Sequence, residues 1–143
     1  MKKIDEKLLE VRRHEGTGYK PLIDYDKWRV AILRYCDELL PESIDKMQRH
    51  NETDEVFVLL EGRCILFIGE GNDYVTSITG IDLKSRKIYN VKRRVWHSHT
   101  LSTDASVLIV ENLDTTIQNS PKMPLNEDQR RQIVDIASEL WQK

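Results

Sequence analysis

The residues of this chain best suited to chemistry are three histidines and a glutamate in two separate segments. His50 and Glu55 flank a polar turn, and His97 and His99 lie together in a later segment. Residues two apart on a strand point to the same face, so His97 and His99 share a face. Imidazoles and a carboxylate in one interior suit metal binding, and they suit proton transfer equally well. Both readings remain open at this point.

Further polar and aromatic side chains accompany these residues. A short strand is predicted from Lys46 to His50, and it places Lys46, Gln48 and His50 on one face. Trp96 is expected to be a wall of the cavity or of the core. Arg49 alternates away from His50 and is expected at the surface or at an interface. Glu111 is expected to serve a turn through side-chain bonds to the backbone.

The elements that would position these residues are short and closely spaced. Apolar and β-branched runs between turn residues predict strands at 28–35, 46–50, 55–60, 64–68, 74–83, 88–91, 95–101 and 105–110. Many short strands with turns between them are typical of an antiparallel sandwich or barrel. The fold class is therefore predicted to be mainly all-β.

Helices are predicted at both ends of this β region. Ile4, Leu8 and Val11 stand at helical spacing and predict a short N-terminal helix, which the breakers before residue 22 end. Residues 113–143 are predicted to be a connector followed by a helix from Asn126 to Trp141, with Asn126 as its N-cap. The whole chain, 1–143, is thus expected to be a single domain with a barrel at about 22–112.

Composition excludes several classes of partner. Charged residues make up 32% of the chain but the net charge is only −2, so nucleic acid is not an expected partner. No apolar stretch approaches the length that crosses a bilayer, so no membrane partner is expected either. The N-terminus lacks the apolar run of a signal peptide. Cys36 and Cys64 are expected as reduced core thiols, so the predicted location is cytoplasmic.

The segment from His50 to Gly62 resembles the first motif of the cupin superfamily. That motif contains two histidines, then a glutamate and a glycine, and its last three positions correspond to His50, Glu55 and Gly62. The second cupin motif carries the last metal histidine after an aromatic residue, as His97 follows Trp96 here, although the usual Pro and Gly are missing. The resemblance covers about residues 44–112. It implies a cupin-type antiparallel barrel or jelly roll.

The resemblance also implies a metal site with one departure from the family. His50, Glu55 and His97 would be the ligands of one divalent ion, and zinc, manganese, nickel and iron are not distinguished. Gln48 stands where the family has its first histidine, and its neutral amide is a poorer ligand. Gln48 is therefore a candidate fourth ligand of lower affinity. A metal-free polar pocket is the competing reading.

A narrower resemblance points to ureidoglycolate lyase, which is itself a cupin. Arg49-His50, Phe57, the strand that begins at Tyr89, and the step from Trp96 to His97 carry this resemblance. The lyase family tends to have Gln where this chain has Glu55. The resemblance implies a related fold and a small polar substrate.

These residues together predict an enzyme that acts on a small polar metabolite by non-redox, lyase- or isomerase-like chemistry. Glu55 or His97 would move a proton, and a metal ion or Lys46 would hold an anionic group. Lining of the cavity is expected from six residues, Lys46, Gln48, Phe57, Tyr89, Trp96 and His99. A non-catalytic sensor or carrier that only binds a small molecule is the alternative. Because single-domain cupins commonly pair, a homodimer is also expected.

Overall fold

Period-two alternation of apolar residues produces ten short strands in this protein. The computed structural model describes residues 2–142. Its strands are β1 Gly18–Tyr25, β2 Trp28–Arg34, β3 Lys46–Gln48, β4 Glu55–Glu61, β5 Cys64–Glu70, β6 Ser77–Asp82, β7 Tyr89–Val91, β8 Trp96–Leu101, β9 Ser106–Asn112 and β10 Lys122–Pro124. One helix, α1, follows at Glu127–Leu140, and short 3-10 turns at Asp37–Leu39 and Pro41–Ser43 lie between β2 and β3.

The strands form two antiparallel five-stranded sheets. The strand orders are β1-β2-β9-β4-β7 in the first sheet and β10-β3-β8-β5-β6 in the second. The two sheets remain separate across residues 2–142, so the architecture is a jelly-roll-like sandwich rather than a closed barrel. The mainly all-β fold class is confirmed.

The space between the sheets holds the larger hydrophobic cluster, here called the inner core. Its buried residues come from both sheets and are Ala31, Leu33, Phe57, Leu59, Cys64, Leu66, Leu83, Val91, Leu101, Ala105, Val107 and Ile109. On β8 the inner face carries Leu101, and by alternation it also carries His97 and His99. The polar site is therefore built into one end of an otherwise apolar interior.

Helix α1 covers the opposite face of the second sheet. Ile133 and Ala137 of the helix pack with Ile65, Phe67 and Trp96 in a second cluster, here called the outer core. The helix begins as predicted, because the Asn126 side chain accepts a hydrogen bond from the Gln129 N–H and the Gln129 side chain accepts one from the Asn126 N–H.

The N-terminal third departs from the prediction. Residues 4–11 contain a single turn at 6–8, in which the N–H groups of Leu8 and Leu9 donate to the Asp5 carbonyl, and the predicted helix there is wrong. The sheet begins at Gly18, not near residue 22, because β1 tolerates Pro21. A proline has no N–H to donate, but β1 is an edge strand, and its register shifts between Pro21 and Ile23.

Gly62 of the motif has a steric reason to be glycine. Its φ is +72°, a conformation that side chains rarely adopt, and a Cβ there would lie 2.6 Å from Cα of Ala105. This close approach is where β4 turns into β5 beneath the loop before β9. The glycine thus fixes the β4–β5 turn, and with it the start of β5, the strand that pairs with β8.

Two smaller expectations can be compared with the structure. Both cysteines are free, but only Cys64 is fully buried, while Cys36 is partly exposed. Within residues 2–142, no helix combines the length and the hydropathy needed to span a membrane.

Candidate functional site

Three strand ends bring the motif residues together. Glu55 is the first residue of β4 in the first sheet, and His97 is the second residue of β8 in the second sheet. Gln48, the last residue of β3, pairs with His97, and His50 follows it after one residue. The predicted convergence of His50, Glu55 and His97 is therefore a geometric feature of the structure.

The three side chains form a tight buried cluster. Oε1 of Glu55 lies 3.0 Å from Nε2 of His50 and 2.9 Å from Nε2 of His97. All three residues are less than 10% exposed, at 8%, 6% and 4% for His50, Glu55 and His97. One donor atom from each lies within 4.8 Å of the others, a spacing that suits a shared metal ion.

The outward nitrogen of each histidine is held by a hydrogen bond. Nδ1 of His97 lies 3.0 Å from the Val95 carbonyl oxygen, which can only accept, so this nitrogen carries a proton. Nδ1 of His50 lies 2.7 Å from Oγ of Ser120. The Ser120 hydroxyl donates its own proton to Oδ1 of Asn119, whose Nδ2 donates to a backbone carbonyl, so His50 must also donate from Nδ1.

This arrangement fits a metal ion. With Nδ1 protonated, neutral His50 and His97 both direct an Nε2 lone pair at the Glu55 carboxylate. Acceptors do not attract one another, so a cation or an added proton must lie between them. Metal-binding histidines characteristically donate their other ring N–H to a carbonyl or a similar acceptor. The donor set and its hydrogen bonds therefore match a metal centre, and they also allow a protonated imidazole.

The pKa values of Glu55 and His97 are shifted in opposite directions by the contact between the two side chains. Burial alone would raise the pKa of Glu55, but hydrogen bonds from His50 and His97 outweigh it and hold that pKa well below its ordinary value. Burial alone would lower the pKa of His97, but the hydrogen bond with Glu55 and the carboxylate charge raise it. Without a metal, the Glu55 carboxylate and a proton on His97 thus stabilise each other.

A cavity of about 570 Å³ opens beside the cluster. Lys46, Gln48, His97 and His99 all line it, as predicted. Nδ1 of His99 is buried and has no hydrogen-bond partner in the described part of the chain. Burial lowers the pKa of His99 to about 4, so this imidazole is neutral at physiological pH. A buried, unpaired ring nitrogen can exchange a hydrogen bond with a small molecule.

Phe57, Trp96 and Tyr89 are expected in the cavity wall from the sequence, but none of them lines the cavity. Phe57 is fully buried in the inner core, with its ring centroid 6.1 Å from that of His97 and 5.8 Å from that of His99. Trp96 lies in the outer core and its Nε1 donates to the Asn72 carbonyl, so of its two expected places it takes the core, and its predicted lining of the cavity is wrong. Successive residues on a strand face opposite ways, and Trp96 precedes an inward His97.

Tyr89 also lies away from the main cavity. It lines a separate apolar groove near Ile81 and Ile88, and its hydroxyl accepts a hydrogen bond from the N–H of Lys84. Arg49 stacks over Trp96 at 4.4 Å from the ring centroid, which is consistent with its predicted orientation away from the cavity.

Two residues of the site escaped the sequence analysis. Glu111 is buried, with Oε1 3.7 Å from Nε2 of His50, so the expectation that it serves a turn is wrong. Alternation marks it, because Val107, Ile109 and Glu111 share the inner face of β9, a strand that extends past the predicted end at residue 110. Ser120 lies in the predicted connector, where no sequence pattern distinguishes it.

No protein-family model matches this chain, and no curated protein sequence matches it. Solved structures do match. Streptomyces PAC13 with uridine has a TM-score of 0.55 at 8% identity over 90% of this chain and 97% of that chain. Another Pac13 structure, of a protein described as a nucleoside dehydratase, has a TM-score of 0.55 at 6% identity over 82% of this chain and 88% of that one.

A sugar-modifying enzyme also shares the fold. The TDP-quinovose 3,4-ketoisomerase WlaRB from Campylobacter jejuni has a TM-score of 0.51 at 17% identity, over 73% of this chain and 74% of that chain. Identities this low show a common fold and no more. This chain has the cupin fold, as the spacing from His50 to Gly62 predicts.

Proposed function

We propose that this protein binds one divalent metal ion through His50, Glu55 and His97 and acts on a small polar metabolite by non-redox, lyase- or isomerase-like chemistry. The observation that carries the proposal is the hydrogen bonding of the two imidazoles. Each Nδ1 donates outward, to Val95 O or to Ser120 Oγ, so both Nε2 atoms face the Glu55 carboxylate. A bound ion would polarise a carbonyl or hydroxyl oxygen of the substrate.

The cavity supplies the groups that would hold the substrate. His99 offers its unpaired Nδ1, Gln48 lies beside His97 on the neighbouring strand, and Lys46 offers a cationic group for an anionic substituent. A volume of about 570 Å³ is in the usual range for small-molecule sites. Ligands of the size of the uridine bound by PAC13 are a reasonable class to test, as are small carboxylic acids and ureido compounds.

A metal-free acid–base site is the second candidate function, and one observation favours it. Oε1 of Glu55 lies within hydrogen-bond distance of both Nε2 atoms, and the pKa of His97 is raised by that carboxylate. His97 would then carry the proton and Glu55 would hold it in place during transfer. A carrier without catalysis would use the same cavity. Turnover of any compound in a substrate panel distinguishes the metal-dependent enzyme and the metal-free enzyme from such a carrier.

Oxygen uptake tests the non-redox part of the proposal. Iron-loaded protein is expected to consume no oxygen beyond its substrate-free background with small acids, thiols or diols, because the proposed reaction moves a proton and transfers no electrons. Two histidines and one carboxylate are also the ligand set of non-haem iron oxygenases, so iron loading makes this a demanding test. The measurement is an oxygen-electrode trace, with a His97→Ala sample as the matched control for free iron. Substrate-dependent uptake that disappears in His97→Ala would contradict non-redox chemistry.

A further inference from the structure

A second buried carboxylate faces the metal cluster from the neighbouring strand. Val56 of β4 pairs with Val110 of β9 in an antiparallel register, so the next residues, Glu55 and Glu111, lie beside each other on the inner face. Glu111 is only 7% exposed. Like charges at such neighbouring positions destabilise a sheet unless something compensates them.

The contacts of Glu111 leave one of its oxygens directed at the cluster. The Tyr19 hydroxyl donates a hydrogen bond to Oε2, which holds the carboxylate from the β1 side. Oε1 lies 3.7 Å from Nε2 of His50. The Tyr19 contact thus fixes the side chain, while the other oxygen stays near the atoms that would bind a metal ion.

This pair of carboxylates, Glu55 and Glu111, has no lysine or arginine ion-pair partner in the described part of the chain. The charge of Arg29 acts on Glu111, but its guanidinium is paired with Asp24 at 2.8 Å. Two carboxylates and two Nε2 atoms therefore converge on one buried region, and a divalent cation would balance them.

We infer that Glu111 is the fourth protein ligand of the metal ion held by His50, Glu55 and His97, an inference that rests on the proposed function. Metal–ligand bonds of about 2.1 Å place neighbouring donor atoms about 3.0 to 3.4 Å apart. The Glu55 contacts of 2.9 and 3.0 Å are close to this separation. The 3.7 Å between Glu111 and His50 is longer, and the group of donors within 4.8 Å of one another contains only His50, Glu55 and His97, so Glu111 would have to move toward the ion when it binds.

With Glu111 as the fourth ligand, Gln48 is no longer needed in the position that the sequence suggests for it. The Gln48 amide nitrogen donates to the Ser120 carbonyl at 3.3 Å, so the amide takes part in the wall that supports His50. A carboxylate is also a stronger metal ligand than a neutral amide. The site then has two imidazoles and two carboxylates, without any contribution from the position that departs from the cupin motif.

Zinc affinity of purified protein, measured by competition with a chromophoric chelator, tests the inference. Glu111→Gln keeps an oxygen that accepts the Tyr19 hydrogen bond but loses the charge, and it is expected to weaken Zn²⁺ binding by at least about 100-fold. Loss of a residue that only supports a ligand would weaken binding by about 10- to 100-fold. The surface control Glu61→Gln is expected to stay within about 3-fold of the wild type, and Gln48→Ala is expected to lose less affinity than Glu111→Gln does. The absorption spectrum of Co²⁺-loaded protein should change in Glu111→Gln and stay unchanged in Glu61→Gln.

The outcomes separate this inference from the proposed function. If Glu111→Gln binds Zn²⁺ as the wild type does while His97→Ala does not, Glu111 is not a ligand and the metal centre stands. If all variants, His97→Ala included, bind Zn²⁺ as the wild type does, both the Glu111 inference and the proposed metal centre are overturned. Should Glu111→Gln fail to fold, as judged by circular dichroism, Glu111→Asp takes its place. That variant keeps the charge but withdraws the oxygen, and unchanged affinity in it overturns the inference.

Discussion

His97→Ala is expected to abolish metal retention while the fold persists. The imidazole contributes one of three donor atoms within 4.8 Å of one another, and loss of a direct ligand weakens binding by at least about 100-fold, more than loss of a supporting residue does. The strand itself is held by pairing with β5 along its whole length, which the substitution leaves in place. Isothermal titration with Zn²⁺ measures the affinity, and circular dichroism checks the fold.

His99→Ala is the matched control for that experiment. His99 lies on the same face of β8, two residues further on, but its buried Nδ1 has no hydrogen-bond partner in the described part of the chain. Its variant is expected to bind Zn²⁺ within about 3-fold of the wild type, because only the cavity wall changes. Equal losses in both variants would mean that the titration reports damage to the cavity rather than loss of a ligand.

Phe57→Ala is expected to lower the free energy of unfolding by about 3 to 5 kcal/mol. The side chain is completely buried in the inner core, and its ring centroid lies 6.1 Å from that of His97 and 5.8 Å from that of His99. Its removal leaves a cavity that the surrounding sheets fill only in part. Urea unfolding of the metal-free protein, followed by circular dichroism, measures the change without a contribution from bound metal.

Leu60→Ala provides the comparison on the same strand. Leu60 is 50% exposed, so its truncation is expected to cost less than about 1 kcal/mol. A small loss in Phe57→Ala, comparable to that of Leu60→Ala, would contradict the assignment of Phe57 to the interior behind the histidines.

The parts of the site that the sequence predicts are those fixed by local geometry. His50, Glu55 and Gly62 belong to one turn-and-strand segment, where spacing along the chain determines spacing in the structure. The pairing of Gln48 with His97 needs two distant strands to meet, and the motif resemblance, not periodicity, anticipates it. Trp96 is misplaced in the cavity by the sequence because a tryptophan can pack on either face of a strand. The register of β8 directs it to the outer core.

The parts that the sequence does not predict depend on tertiary contacts. A helix at residues 4–11 has the right spacing, but no surface receives its apolar face, and Leu8 remains 79% exposed. Short isolated helices are marginal without such packing. Glu111 is missed because a polar residue at a strand end resembles a turn residue, and only the extra length of β9 carries it into the interior.

The homodimer, the cytoplasmic location and the relation to ureidoglycolate lyase all remain predictions. So does the treatment of residues 1–143 as one domain, although the inner and outer cores share the second sheet. The metal centre, in contrast, has a direct experimental test.

Anomalous X-ray diffraction from crystals of Zn²⁺-loaded protein, recorded on both sides of the zinc absorption edge, tests the central claim. The account predicts one strong difference peak about 2.0 to 2.2 Å from Nε2 of His50, Nε2 of His97 and a carboxylate oxygen of Glu55. The same experiment on His97→Ala should lose the peak. Zinc found only at surface sites in the wild type, with His50 and His97 still hydrogen-bonded to Glu55, would contradict the metal centre.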